Sequence, residues 1–210
     1  MTLDPFYPIV DTSAWLDRLL PLGVKLVQLR MKDRHGNSPD EATRRREIIR
    51  ARDLCEAHSC QLIVNDFWEI AIDEKCDFIH LGQEDLNDAD LSAIRRAGLK
   101  LGVSTHSDEE LERGLSVDPD YVALGPIYPT ILKEMKWDPQ GLEKIPLWKK
   151  RIGKVPLCAI GGITLDRIEG VLEAGADIAS VVTDVTLNDD PEARTRAFID
   201  RTRRFERSPA

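Results

Sequence analysis

Eight short, β-rich apolar runs recur along the chain, and the stretches between them are patterned as amphipathic helices. The runs cover residues 6–10, 26–31, 62–65, 78–81, 101–104, 121–124, 157–160 and 178–182. Strands that are apolar on both faces suit a parallel sheet covered by helices. Eight strand–helix units in 210 residues, about 26 residues each, sit at the short end of the range for a (β/α)8 barrel. An open doubly wound sheet is the main structural rival, but it usually has fewer strands. The expectation is an α/β fold, a (β/α)8 TIM barrel, forming a single domain over residues 1–210. The segments 77–82 and 120–125 share the pattern Asp-aromatic-β-x-Leu-Gly, a faint internal echo that implies similar local geometry.

Helix boundaries are marked. The run Ser38, Pro39, Asp40, Glu41 reads as a capping box with proline at the first helical position. Ser107 followed by Glu110 reads as a second box, and Asp190 with Pro191 opens a last helix. Gly98 and Gly175 stand where helices end before strands. Charge narrows the function classes: 29 basic against 37 acidic residues give a net charge of -8. Neither nucleic acid nor an anionic membrane is an expected partner, so an anionic small-molecule substrate needs a local cluster of cations. Cys55, Cys60, Cys76 and Cys158 show no C-x-x-C spacing, which disfavours a disulfide scaffold or structural zinc and suits a reducing cytoplasm. The first residues lack the pattern of a signal peptide, and no apolar stretch is long enough for a spanning helix.

In a barrel the working face is the C-terminal end of the strands. Gln28, Arg30 and Lys32 are spaced i, i+2, i+4, which puts them on one face of a strand, with Leu29 and Met31 on the other. Two neighbouring cations need an anion: a bound substrate, or an ion-pair network with Asp66 or Asp85. Asp66 and Asp85 follow the third and fourth runs. Each alone suits a helix cap; together they can share a hard cation such as Mg2+, which takes one or two carboxylates plus substrate phosphates. Gly161 and Gly162 follow the seventh run, where barrels often bind phosphate, and Val182 with Thr183 would form the other wall. His80 is either a satisfied core imidazole or a proton carrier, and His106 shares that ambiguity. The four tryptophans read as packing, and Arg44, Arg45 and Arg46 as a solvated helix face. The connection 126–141 is long, as binding loops in compact barrels are.

Six ordered segments carry a family resemblance: 28–33, 63–66, 80–86, 102–106, 124–130 with Lys133, and 159–163. On these the chain resembles the thiamine phosphate synthase family across nearly its whole length. The resemblance implies a Mg2+-assisted transferase that joins a hydroxymethylpyrimidine diphosphate to a thiazole phosphate and releases pyrophosphate. The C–O bond to pyrophosphate would break first, and the thiazole nitrogen would capture the pyrimidine-stabilised cation. By the same resemblance Gln28, Arg30, Lys32 and Asn65 hold the pyrimidine diphosphate, and Asp66 and Asp85 bind Mg2+. Ser104 and Lys133 contact the pyrimidine substrate and its pyrophosphate. Thr130, Ile131, Leu132, Gly162, Val182 and Thr183 hold the thiazole phosphate. Arg30, Lys32, Ser104 and Lys133 are the catalytic candidates.

The chain departs from the family pattern in places. Leu132 stands where a second threonine is common, at a cost of about 1 kcal/mol for one lost hydroxyl contact. Thr183 stands for a usual serine, and Asp184 puts a carboxylate where a small residue is common and where it would repel a phosphate. The usual leading helix is absent, so the bottom of the barrel is expected to be less covered. Two rival readings stay open. One is a thiazole tautomerase on the same barrel, working by acid–base chemistry through His80 or His106. The other is a non-catalytic phosphate-binding barrel. The oligomeric state is left open, a homo-oligomer included.

Overall fold

A computed structural model describes residues 3–33, 35–130 and 137–206. Strands β1 (Phe6–Val10), β2 (Leu26–Leu29), β3 (Gln61–Asn65), β4 (Phe78–Leu81), β5 (Lys100–Thr105), β6 (Tyr121–Leu124), β7 (Leu157–Ile160) and β8 (Ile178–Val181) pair in sequence order. Every pairing is parallel, and β1 closes on β8 with Tyr7 opposite Ser180. The expected barrel is therefore present, and the open sheet is excluded.

The helices are α1 (Ala14–Leu19), α2 (Glu41–Ala57), α3 (Trp68–Asp73), α4 (Gln83–Asp88), α5 (Leu91–Arg96), α6 (Asp108–Ser116), α7 (Lys144–Ile152), α8 (Ile168–Glu173), α9 (Thr183–Thr186) and α10 (Pro191–Thr202). Among the described residues no helix is long and apolar enough to cross a membrane. The expected starts and stops hold with one displacement. Asp40, not Ser38, caps α2 by accepting from the Thr43 N–H at 2.9 Å, because the carboxylate is then one residue ahead of the first helical turn. Ser107 caps α6, but Glu110 reaches past the cap and accepts from the His106 N–H at 2.8 Å. Asp190 caps α10 as expected.

Four helix exits share one device. At the ends of α2, α3, α5 and α8 the residue after the cap takes a left-handed φ, and the next N–H bonds back five residues. Gly98 and Gly175 are the two expected from sequence. Ser59 and Lys75 do the same without being glycine, which is why they left no signal. Each turn delivers the chain into the next strand.

The strands separate two apolar regions. The outer one packs strand residues such as Leu29, Val64, Ile79 and Val103 against helix residues such as Ile48, Ile94, Leu111 and Phe198. Fully burying one such side chain contributes roughly 1.5–3 kcal/mol. The inner one fills the barrel with Tyr7, Leu26, Ile63, Phe78, Tyr121, Ala123, Cys158 and Ile178. Tyr121 fits because β5 carries Gly102 beside it; a Cβ there would fall inside the ring.

Polar groups inside the barrel form a connected chain. Gln28 Nε2 donates to the Tyr7 hydroxyl at 2.8 Å, which bonds the Tyr121 hydroxyl at 3.1 Å. The Tyr121 hydroxyl bonds His80 Nδ1 at 2.7 Å, and His80 Nε2 bonds Ser104 Oγ at 2.8 Å. Of the two expectations for His80, the satisfied core imidazole is the one realised. Burial first, and the charge of Arg30 second, push its pKa down from 6.5 to about 4.

At the opposite end of the barrel a cleft of about 820 Å³ opens beside Asp4, Lys25, Cys60, Cys76 and Glu206. All four cysteines are free and buried.

Two outcomes follow from the interior. Gly102→Ala should destabilise the fold by about 1–3 kcal/mol through overpacking, read as a lower urea midpoint at an unchanged m-value. His80 protonates near pH 6.5 in the unfolded chain and near pH 4 in the folded one. Between those values the unfolded chain binds more protons, so stability falls as pH falls. The contribution is complete above pH 6.5 and is on the order of 3 kcal/mol. Urea titrations at pH 7 and pH 4.5 should show a larger drop for wild type than for His80→Gln; equal drops would contradict the assignment.

Candidate active site

The polar residues expected at the strand ends do gather at the C-terminal rim. Strand β2 stops at Leu29 rather than at Met31, so Arg30 and Lys32 lie just beyond the ladder. The alternation persists all the same, because the Arg30 N–H still bonds the Val10 carbonyl at 2.8 Å. Leu29 and Met31 are buried in the outer shell, whereas Arg30 and Lys32 are half-buried. The Arg30 guanidinium donates to the Lys32 carbonyl at 3.0 Å and braces this extended segment. Gln28, one step inward, is almost fully buried and is engaged with Tyr7.

Asp66 follows β3 in a left-handed conformation, φ 67°. Aspartate tolerates that region better than most residues, and such backbone strain concentrates at functional sites. Its N–H bonds the His80 carbonyl at 2.9 Å, and Asn65 Nδ2 donates to its carboxylate at 2.6 Å. It does not cap α3, whose N-cap is Phe67. Asp85 does not cap either: it sits in the first turn of α4, behind Gly82 as N-cap. The helix-cap reading therefore fails for both aspartates.

They converge instead on one ammonium. Lys32 Nζ lies 2.5 Å from Asp66 Oδ2 and 3.5 Å from Asp85 Oδ1. Burial raises the Asp66 carboxyl above its ordinary range; Lys32 opposes that rise, and the nearby Asp85 charge adds to it. Burial works against the Lys32 ammonium too, but Asp66 and then Asp85 outweigh it, and its net direction is upward. Arg30 is pulled below its ordinary value by burial, against the attraction of Asp66. Two carboxylates thus meet one cationic group where strands β2, β3 and β4 end.

Around the rim, Ser104 is held by His80 at its hydroxyl and by Gln83 Nε2 at its carbonyl, 2.5 Å. His106 bonds Glu110 through Nδ1 at 2.7 Å and stacks on Trp137, with ring planes 5° apart. Trp137 is 39% exposed, so it is not the packing residue expected from sequence. Trp148 is: it is buried, and its indole N–H reaches Thr105. Glu110 is a site neighbour that sequence reasoning saw only as a capping residue. Its signal was the i, i+4 spacing to His106.

The seventh rim segment carries two consecutive positive φ values, 100° at Gly161 and 63° at Gly162. Side chains there would strike Pro126 and the backbone of Pro129 and Tyr128, so the pair lets the sixth loop lie directly on it. The Tyr128 N–H bonds the Gly161 carbonyl at 3.0 Å, and Arg167 bonds the Gly162 carbonyl at 2.7 Å. Val182 precedes α9, and Thr183 is its first residue. Asp184 is otherwise occupied than expected: its carboxylate accepts from the Leu165 N–H at 2.9 Å and faces Arg194 at 3.6 Å. Its charge is thereby committed to a turn and an ion pair. Arg44 and Arg45 are not a solvated face; they cover α3, through Phe67 and through Asp73 and Glu74. Thr130 is described at the end of its segment, whereas Ile131, Leu132 and Lys133 lie outside the described residues.

Known proteins resemble this chain over most of its length. The family model for thiamine monophosphate synthase matches residues 6–185. A thiamine-phosphate synthase of Rhizobium etli is 64% identical over 199 residues, 95% of each chain. One from Neisseria meningitidis is 46% identical over 193 residues, 92% of each chain. Among solved structures, a thiamine phosphate pyrophosphorylase from Pyrococcus furiosus superposes with a TM-score of 0.79 at 26% identity, over 95% of this chain and 96% of that one. A 3-hexulose-6-phosphate synthase at 14% identity and a TM-score of 0.66 shares the fold alone. A family model that spans residues 6–185 and a relative 64% identical over 95% of each chain show that the chain belongs to the thiamine monophosphate synthase family, a family of transferases.

Proposed function

We propose that the barrel mouth joins a hydroxymethylpyrimidine diphosphate to a thiazole phosphate, giving thiamine phosphate and pyrophosphate. The observation that carries this reading is the convergence of Asp66 and Asp85 on Lys32 beside Arg30. A diphosphate leaving group accumulates about three negative charges, and preorganised cations in a partly dry site stabilise it most as the bond breaks.

The donor set fits a hard divalent cation. Two carboxylates from adjacent strand ends already hold one positive group between them, and Mg2+ needs little more from protein when substrate phosphates complete its shell. Asp66 and Asp85 would hold it. When bound, the ion supplies positive charge to the pyrophosphate oxygens.

The chain's own residues do the rest. Arg30 and Lys32 would bind the diphosphate, and Lys133 would meet the departing pyrophosphate. Gln28, Asn65 and Ser104 would orient the pyrimidine. Gly162, Val182, Thr183 and the segment Thr130, Ile131, Leu132 would grip the thiazole phosphate. In the reaction the methylene C–O bond breaks and its electron pair leaves with pyrophosphate. The pyrimidine ring delocalises the positive charge, and the thiazole nitrogen lone pair forms the new C–N bond. No proton need be moved, so no acid–base dyad is needed. Holding the two substrates in line supplies much of the remaining rate enhancement. The buried free thiols suit a reducing cytoplasm, and the barrel would act as one catalytic domain.

A second reading rests on the His106–Glu110 pair, which could carry a proton for metal-independent thiazole isomerisation. One assay separates the two. Pyrophosphate should appear only with both substrates and Mg2+ present, and EDTA should abolish it. Isomerisation of the thiazole in EDTA would favour the second reading, and binding without turnover would favour a non-catalytic barrel. Lys133→Ala should lower kcat by about 10²–10³, the range for one transition-state donor. An unchanged kcat would remove Lys133 from the leaving-group site.

A further inference from the structure

The hydrogen bonds inside the barrel run from buried Gln28 to Ser104 at the rim through side chains that are almost wholly enclosed. Gln28 is at one end and Ser104 at the other, with Tyr7, Tyr121 and His80 between. Tyr7 and Tyr121 are fully enclosed, and Ser104 alone is appreciably open to the mouth.

Each phenol and the neutral imidazole has a single proton to give, so the direction of the chain is set at its ends. Gln28 presents its amide N–H to the Tyr7 oxygen. The Tyr7 proton must then go to Tyr121, and the Tyr121 proton to His80 Nδ1. His80 is left with its proton on Nε2, given to Ser104 Oγ. The serine proton is left over, free to turn toward the mouth. In the reverse direction Tyr7 would face two donors and keep a buried O–H with no acceptor, which is costly.

We propose that Tyr7, Tyr121 and His80 are positioning residues that transmit the donor end of the Gln28 amide across the barrel, hold His80 as the Nε2–H tautomer, and so present the Ser104 hydroxyl to the substrate as a hydrogen-bond donor. Ser104 thereby selects an acceptor, a bare ring nitrogen or a phosphate oxygen, and disfavours an amine at that position. The tautomer stands independently of the activity; its use on substrate rests on the reaction proposed above.

The test reads the tautomer without substrate. Long-range 1H–15N correlation spectra of histidine-labelled protein at pH 7 should show His80 protonated at Nε2. Gln28→Glu replaces the terminal donor with an acceptor three bonds away and should switch His80 to the Nδ1–H form. Adding Tyr121→Phe to Gln28→Glu cuts the chain, so the His80 signal should no longer switch fully. Nδ1–H in the wild type would overturn the proposed direction. An Nε2–H signal indifferent to Gln28→Glu would overturn the transmission, and the wild-type spectrum is decisive by itself should the variants fail to fold. In steady-state assays Tyr121→Phe should raise KM for the pyrimidine substrate about tenfold. It should have no further effect in a Ser104→Ala background; additive effects would deny action through Ser104. A switching tautomer in a protein that releases no pyrophosphate would leave the proton chain standing and remove the proposed reaction.

Discussion

Closure of the parallel sheet on itself is the constraint from which the rest follows. Once β1 pairs with β8, every strand has two neighbours, and each side chain either enters the barrel or meets the helices. Polar side chains from different strands can then act together where the strands end, and here they do so at the C-terminal rim. Lys32, Asp66 and Asp85 come from three successive strand ends, yet they meet within ion-pair distance because adjacent parallel strands end side by side. The charges would be expensive in the barrel and diluted on the outer surface. At the rim they are half-buried, close enough to act together and open enough to take a ligand.

The interior is an uncommon compromise. A barrel this size could be filled with aliphatic side chains alone, but five polar groups thread through it. Each added polar atom costs desolvation unless its bonds are complete. The connected sequence from Gln28 to Ser104 meets that condition, and Gly102 makes the room that Tyr121 needs. The two layers are thus coupled: the ring that fills the core also carries a hydrogen bond toward the mouth.

Much of this was legible in the residues. The eight strands show because each is a compact apolar run bounded by turn or helix signals, and the bounds move by no more than a residue or two, as with β2 ending at Leu29. The i, i+2, i+4 spacing located the cations because alternation outlasts the hydrogen-bond ladder. What could not be read was any pairing across strands. Nothing in the sequence says that Tyr7 and Tyr121, separated by 114 positions, share a hydrogen bond, or that Asp184 turns to Leu165 and Arg194. The Ser59 and Lys75 turns were invisible because left-handed backbone at an ordinary residue leaves no compositional mark. The cap of α2 was misplaced because two candidates two residues apart, Ser38 and Asp40, compete, and only the geometry of the first turn decides between them.

Trp137 has a practical consequence. Its indole lies parallel to and offset from the His106 ring at the open rim, whereas Trp148 is shut inside the shell. A molecule settling over that rim changes the surroundings of the first and leaves those of the second alone. One of the protein's four tryptophans thus stands at the mouth, where a ligand perturbs its share of the intrinsic emission, while the share of buried Trp148 stays constant.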